Sequence, residues 1–219
     1  MTWQQFLGEY LTKDKYVISV CGTHGKTTTT AMIAQLLEDA GLDPTVELGA
    51  IVPWWNANYR IGEGRYFVVE ADEFNDNFLH LKPEINVVTN IEMDHPEYFK
   101  DFEAVKESFK KFLIQTGNTV VANLTNPGVA GVVKVAMKES GIQYLDYSKN
   151  ELGVDLKIPG EFNKLNAKAA MQVGLLLGLN PQAIKQSLGN YEGVGRRFEY
   201  IGEYNGAKVY SDFGHHPTE

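Results

Sequence analysis

The chain has 219 residues and 43% hydrophobic content, enough apolar side chain to bury a core, which excludes disorder as the dominant state and allows one large domain or two small ones. Lys and Arg total 20 against 28 Asp and Glu, and the net charge of −8 argues against a protein that coats nucleic acid or an anionic membrane, while leaving room for a local cationic site for phosphate. A single cysteine, Cys21, fits a reducing cytosol, and the absence of a long apolar stretch or secretory signal makes a soluble, cytoplasmic protein without membrane insertion the expectation.

Residues 15–21, KYVISVC, form a short apolar run bounded by charge before and glycine after, the pattern of a buried strand. Gly22-Thr23-His24-Gly25-Lys26-Thr27 follows, and then Met32, Ile33, Leu36 and Leu37 recur on one helical face, with Gly41 as a stop. In a strand–turn–helix unit of this kind, backbone N–H groups and the helix N-terminus hold phosphate. Lys26 reaches the terminal phosphates, and Thr27 or Thr28 offers a hydroxyl to magnesium. The common form of the loop, with four residues between its glycines, would place glycine where Val20 stands. The plainer alternative is a glycine turn with a capping threonine.

Further short strands are expected at residues 66–70, 85–89, 119–122 and 142–145, with helical stretches between several of them; residues 102–114 carry the clearest apolar stripe. This alternation predicts an α/β fold: a P-loop NTPase-like, mostly parallel sheet flanked by helices, with ligands at the carboxyl ends of its strands. Glu70-Ala71-Asp72-Glu73 ends one strand, where a magnesium-organising acid commonly stands, although such an acid can equally be a solvated turn residue. Asn90 to His95 follows another, so His95 surfaces at the same edge, to bind a second divalent ion, to orient a phosphate oxygen, or simply to be solvated.

Two helices are expected over 163–177 and 181–188, the second capped by Asn180 and opened by Pro181. Asn163 reads as a helix cap, whereas Asn166 inside the helix is free to read a base edge. Arg197 offers a planar cation to phosphate or pairs on the surface with Glu199. Residues 197–204 and 207–212 flank Asn205-Gly206, a strong hairpin signal that adds a small β-hairpin near the C-terminus.

Taken in order, Gly22 to Thr29, Glu70 to Glu73, Thr89 to His95, Asn163 to Ala167, Gly195 to Glu199 and Asp212 to Glu219 resemble the Mur ligase family, over nearly the whole chain. The details are most similar to the branch that joins L-alanine to UDP-N-acetylmuramate. The resemblance implies the central, ATP-binding domain over 1–211, and at 212–219 a hinge with the first residues of a C-terminal ligase domain. It implies ATP and Mg2+ as cofactors and reaction through an acyl phosphate. It also gives roles: Gly22, Thr23, His24, Gly25, Lys26, Thr27 and Thr28 around the phosphates; Thr27 or Thr28 with Glu70 on one magnesium; His95 on a second; Asn163 and Asn166 at the adenine; Arg197 at the phosphates; Asp212 at the ribose. Lys26, Glu70 and His95 become the catalytic candidates. Phe162 departs from the histidine usual before the first asparagine, and Lys110 and Lys111 read as solvated. The near alternatives are a murein-peptide recycling ligase of the same family and a nucleotide-binding fragment without ligase activity of its own.

Overall fold

The computed structural model describes residues 1–216 and Thr218; Pro217 and Glu219, part of the expected hinge segment, lie outside the described residues. Seven strands form one sheet: β1 (Tyr16–Cys21), β2 (Thr45–Val52), β3 (Ala57–Arg60), β4 (Tyr66–Glu70), β5 (Ile85–Val88), β6 (Thr119–Ala122) and β7 (Gln143–Asp146). Their order is β3-β2-β4-β1-β5-β6-β7, and every neighbouring pair is parallel except β2 with β3.

Strand periodicity sorts the core into two layers. From β1, Ile18 and Val20 face one side and Val17 and Cys21 the other; β4 divides in the same way into Val68 against Phe67 and Val69. The first layer is closed by α2 (Lys26–Asp39), α5 (Glu161–Leu176) and α6 (Pro181–Asn190), through residues such as Met32, Leu37, Ala170 and Ile184. The second is closed by α3 (Phe102–Ile114) and α4 (Pro127–Ser140), with Phe109, Phe112 and Val133 fully or almost fully buried. Cys21 is a free buried thiol. A short helix, α1 (Trp3–Phe6), precedes the sheet, and β8 (Glu199–Tyr204) and β9 (Ala207–Ser211) form a separate antiparallel hairpin. Asn205 and Gly206 both adopt positive φ at its turn, as a tight two-residue hairpin demands.

The α/β, mostly parallel sheet flanked by helices is as the sequence predicts; β2, β3 and α4 are additions. Glu47 and Gly49 break the apolar run of β2, and β3 is an edge strand without a buried residue. Gly128 and Gly131 blur the helical pattern of α4, although Asn126 caps it by accepting the Val129 N–H, Pro127 opens it and Gly141 ends it.

Candidate functional site

Loop 22–25 leaves the carboxyl end of β1 and turns into α2. Gly22 stands at φ +132°, and a Cβ there would lie 2.1 Å from Thr89 Oγ1; Gly25 caps α2 at φ +83°, and a Cβ there would lie 2.6 Å from Asn166 Oδ1. Both positions therefore need glycine for conformation and for space. The loop is tied to the segment after β5: the Thr23 and His24 N–H groups donate to Asn90 O (3.0 Å) and Asn90 Oδ1 (2.8 Å), and Thr89 Oγ1 and Asn90 Nδ2 donate to His24 O at 2.6 and 2.9 Å. The first-turn N–H groups of α2, which have no intrahelical acceptor, are held at the edge where the strands end.

Two cavities meet at this edge. The larger, about 360 Å³, is lined by His24, Gly25, Thr27 and Thr28, by Phe162, Asn163 and Asn166 of α5, and by Arg197 and Asp212. Asn90, Asn123, Asn126, Tyr147 and Tyr191 also line it. The smaller, about 280 Å³, is lined by Trp3, Lys26, Glu47, Gly49, Glu70 and Asp72 among others. Thr27 faces the first and Glu70 the second, and Thr27 Oγ1 donates to Glu70 Oε1 at 3.0 Å. Gly49 N–H holds Glu70 Oε2 at 2.7 Å, and Arg197 Nη2 donates to Thr27 Oγ1 at 3.2 Å.

Lys26 is folded back onto its own loop. Its Nζ donates to Gly22 O at 2.6 Å, to Thr23 O at 3.3 Å and to Glu73 Oε2 at 2.9 Å. Burial works against its charge, but Glu73, Glu70 and Asp72 outweigh burial and hold the ammonium above the usual lysine range. Glu73 is 1% exposed, and burial lifts its carboxyl above the usual range against the pull of Lys26. Burial, then the charge of Glu70, pushes Glu47 up to about 7.

Among the expected site residues, the larger cavity gathers His24, Gly25, Thr27, Thr28, Asn163, Asn166, Arg197 and Asp212, whereas Lys26 and Glu70 line the smaller one. His95 lines neither and sits beside Asp94 and Glu73. Asn166 Nδ2 donates to Asn163 Oδ1 at 3.3 Å, and Asn163 Nδ2 to Pro159 O at 2.6 Å. Gly160, rather than Asn163, is the N-cap of α5. The Asp212 carboxylate accepts the Phe198 and Gly214 N–H groups at 2.7 and 2.6 Å, bracing the hairpin base against the cavity. Glu199 Oε2 accepts the Arg196 N–H at 2.8 Å. Lys110 pairs with Glu107 and Glu139 on the surface. Asn123 and Asn126 follow β6 as Asn90 follows β5, so their place after a strand was the available signal; Glu47, Tyr147 and Tyr191 had none.

A glycine loop between a parallel strand and a helix, followed by a lysine and a threonine and facing a strand-end acid, is the arrangement of a P-loop-type α/β domain. Residues 20–151 match the family profile described as Mur ligase middle domain, and the chain belongs to the Mur ligase family. UDP-N-acetylmuramate--L-alanine ligase of Arthrobacter sp. (strain FB24) is 40% identical over 93% of this chain and 49% of its own length. The enzyme of that name from Caldicellulosiruptor bescii is 39% identical over 98% of this chain and 53% of its own. The crystal structure of UDP-N-acetylmuramate-alanine ligase MurC from Thermotoga maritima superposes with a TM-score of 0.80 at 26% identity, over 97% of this chain and 54% of that one. A murein peptide ligase from Psychrobacter arcticus shares the fold, with a TM-score of 0.79 at 24% identity over 100% of this chain and 55% of that one. The chain spans about half the length of the curated relatives it matches. No helix among the described residues is long and apolar enough to cross a membrane.

Proposed function

We propose that the chain is the ATP-binding unit of a cytoplasmic amide ligase of peptidoglycan precursor synthesis, one that joins L-alanine to UDP-N-acetylmuramate. The observation that carries this reading is the Thr27–Glu70 pair seated between two cavities. Activation of a carboxylate by ATP needs the γ-phosphate and the acceptor oxygen to meet at one cationic, positioned junction. The relatives named for the alanine-adding reaction at 37–40% identity support this choice of substrate.

In this reading the larger cavity takes the nucleotide. Asn163 and Asn166 face the base, Asp212 the ribose, and Arg197 and the backbone from Gly22 to Thr28 the phosphates. The acceptor carboxylate enters through the smaller cavity. Paired oxygens at Thr27 and Glu70, 3.0 Å apart, fit a hard divalent cation, with Thr28 as the alternative hydroxyl and His95 a candidate for a second ion. Bound Mg2+ would supply neutralisation of phosphate charge. Lys26 swings from Glu73 to the phosphates and stabilises charge on the transferring phosphoryl group. Transfer to the carboxylate oxygen gives an acyl phosphate and ADP. The amine of L-alanine then attacks the carbonyl carbon, phosphate leaves, the nitrogen gives up a proton, and an amide remains. No side chain serves as a covalent nucleophile.

The same reading makes 1–211 the ATP-binding domain and 212–219 a hinge, and leaves recognition of the UDP group and the amine to other parts of the ligase. The test is calorimetry with Mg-ATP together with an ADP-release assay on these 219 residues. Magnesium-dependent ATP binding with weak or undetectable ligation is expected. Absence of ATP binding would overturn the nucleotide assignment, and steady ADP release dependent on both UDP-N-acetylmuramate and L-alanine would overturn the division of labour.

A further inference from the structure

Two tyrosines line the larger cavity from within the core, Tyr147 at 1% exposure and Tyr191 at 0%. Their hydroxyls differ. Tyr147 Oη reaches Thr89 O at 3.5 Å, whereas Tyr191 Oη is buried with no hydrogen-bond partner among the described residues. A buried phenol usually has a partner, because an unpaired O–H forfeits the bond it made to water and gains nothing in return. Burial pushes the Tyr191 phenol well above the usual tyrosine range, against the pull of Arg197, so at neutral pH the group is an O–H donor. What it needs is an acceptor.

The ring is fixed in place. Tyr191 is the C-cap of α6, its N–H donates to Leu188 O at 3.2 Å, and its ring stands edge-on to Trp54 with centroids 6.3 Å apart. The wall around it is apolar: Ile158, Leu165 and Val194 line the same cavity, and a Cβ at Gly193 would meet Ile158 Cγ2 at 3.4 Å. Such a wall disfavours a triphosphate, whose charge stays hydrated, and suits the faces of a heteroaromatic base. Donors for the edge of that base are few. Asn166 Nδ2 already donates to Asn163 Oδ1, and Asn163 Nδ2 to Pro159 O, so each amide uses one N–H on the protein itself. A purine ring nitrogen accepts one hydrogen bond in the plane of the ring, which a phenol can give.

We propose that the Tyr191 hydroxyl donates to a ring nitrogen of the bound base, which makes Tyr191 a base-reading residue of the larger cavity. The proposal rests on the reading of that cavity as the nucleotide site. Because the hydroxyl is already out of water in the nucleotide-free protein, forming the bond requires no further desolvation of the donor, and the whole of its strength favours the complex.

The test is calorimetry of the 219-residue wild type and Tyr191→Phe with Mg-ATP and with the 1-deaza, 3-deaza and 7-deaza analogues of ATP, each of which replaces one ring nitrogen by C–H. Denaturation midpoints of both proteins without nucleotide accompany it. Tyr191→Phe is expected to weaken ATP about tenfold, while its midpoint stays unchanged or rises, since only an unpaired group is removed. One analogue is expected to bind the wild type about as weakly as ATP binds the variant and to lose nothing further in the variant; the other two keep the tenfold difference. Equal ATP affinity in the two proteins overturns the proposal and leaves the nucleotide reading intact. A lower midpoint in nucleotide-free Tyr191→Phe overturns it as well, because the hydroxyl then has a partner inside the protein. So does a difference that persists with all three analogues, which would place the acceptor outside the ring nitrogens. No ATP binding by the wild type removes the nucleotide reading, and the proposal with it.

Discussion

Thr27 Oγ1 and Glu70 Oε1 lie 3.0 Å apart, and their hydrogen bond is the seam between the nucleotide-sized cavity and the smaller acidic one. The P-loop helix supplies the hydroxyl and strand β4 the carboxylate, so two elements packed in one core fix the geometry. Thr27→Val and Glu70→Gln are each expected to lower the affinity for Mg-ATP about 10–100-fold while leaving magnesium-free ATP binding nearly unchanged. Thr27→Ser keeps the hydroxyl and retains most of the affinity. Calorimetry with and without magnesium measures both effects.

Gly25→Ala combines two costs. Its φ of +83° is unfavourable for alanine, and the new Cβ would meet Asn166 Oδ1 at 2.6 Å. A stability loss of about 1–3 kcal/mol is expected in chemical denaturation. Adding Asn166→Ala should recover the steric part and leave the backbone part. Full recovery would show that the left-handed cap carries no cost.

Glu47 gives a pH signature. Its carboxyl, lifted to about 7 by burial and by Glu70, keeps its proton in the folded state after the unfolded chain has released it near pH 4.5. The folded state then binds more protons between about 4.5 and 7, so stability falls as pH rises through that window and levels off above it. Glu47→Gln should flatten this slope and be more stable than the wild type above pH 7 by ~2 kcal/mol. Denaturation midpoints taken across the window test it, and a slope that persists in the variant would contradict the assignment.

Phe162 stands at the mouth of the larger cavity, 57% exposed. Phe162→Ala is expected to weaken ATP about tenfold, the worth of one ring stacked on a base, with little change in melting temperature. Unchanged affinity would place the base elsewhere in the cavity.

Much of this arrangement was legible because the relevant signals are local. Strand β1, the glycines at 22 and 25 and the start of α2 sit in one short stretch, and the acids and amides that follow β4 and β5 inherit their position from the parallel sheet. Other features depend on contacts distant in sequence. Glu47 gains its meaning only when β2 pairs with β4 and brings it near Glu70. Tyr147 and Tyr191 read as ordinary aromatic residues until the fold turns them toward the cavity. Glu73 stood in the acidic motif, but its contact with Lys26, 47 positions earlier, follows from the packing of two strand ends. Helix α4 carried its cap, its proline and its stop, yet two internal glycines hid the period between them.

The Gly22 to Thr28 loop is proposed to bind the phosphates of ATP through Lys26. Calorimetric titration of the wild type and Lys26→Ala with Mg-ATP tests it most directly. Measurable binding by the wild type is expected, with a loss of at least about a hundredfold in the variant, as follows from removal of a charge-assisted phosphate contact in a buried setting. Equal affinity in the two proteins would contradict it.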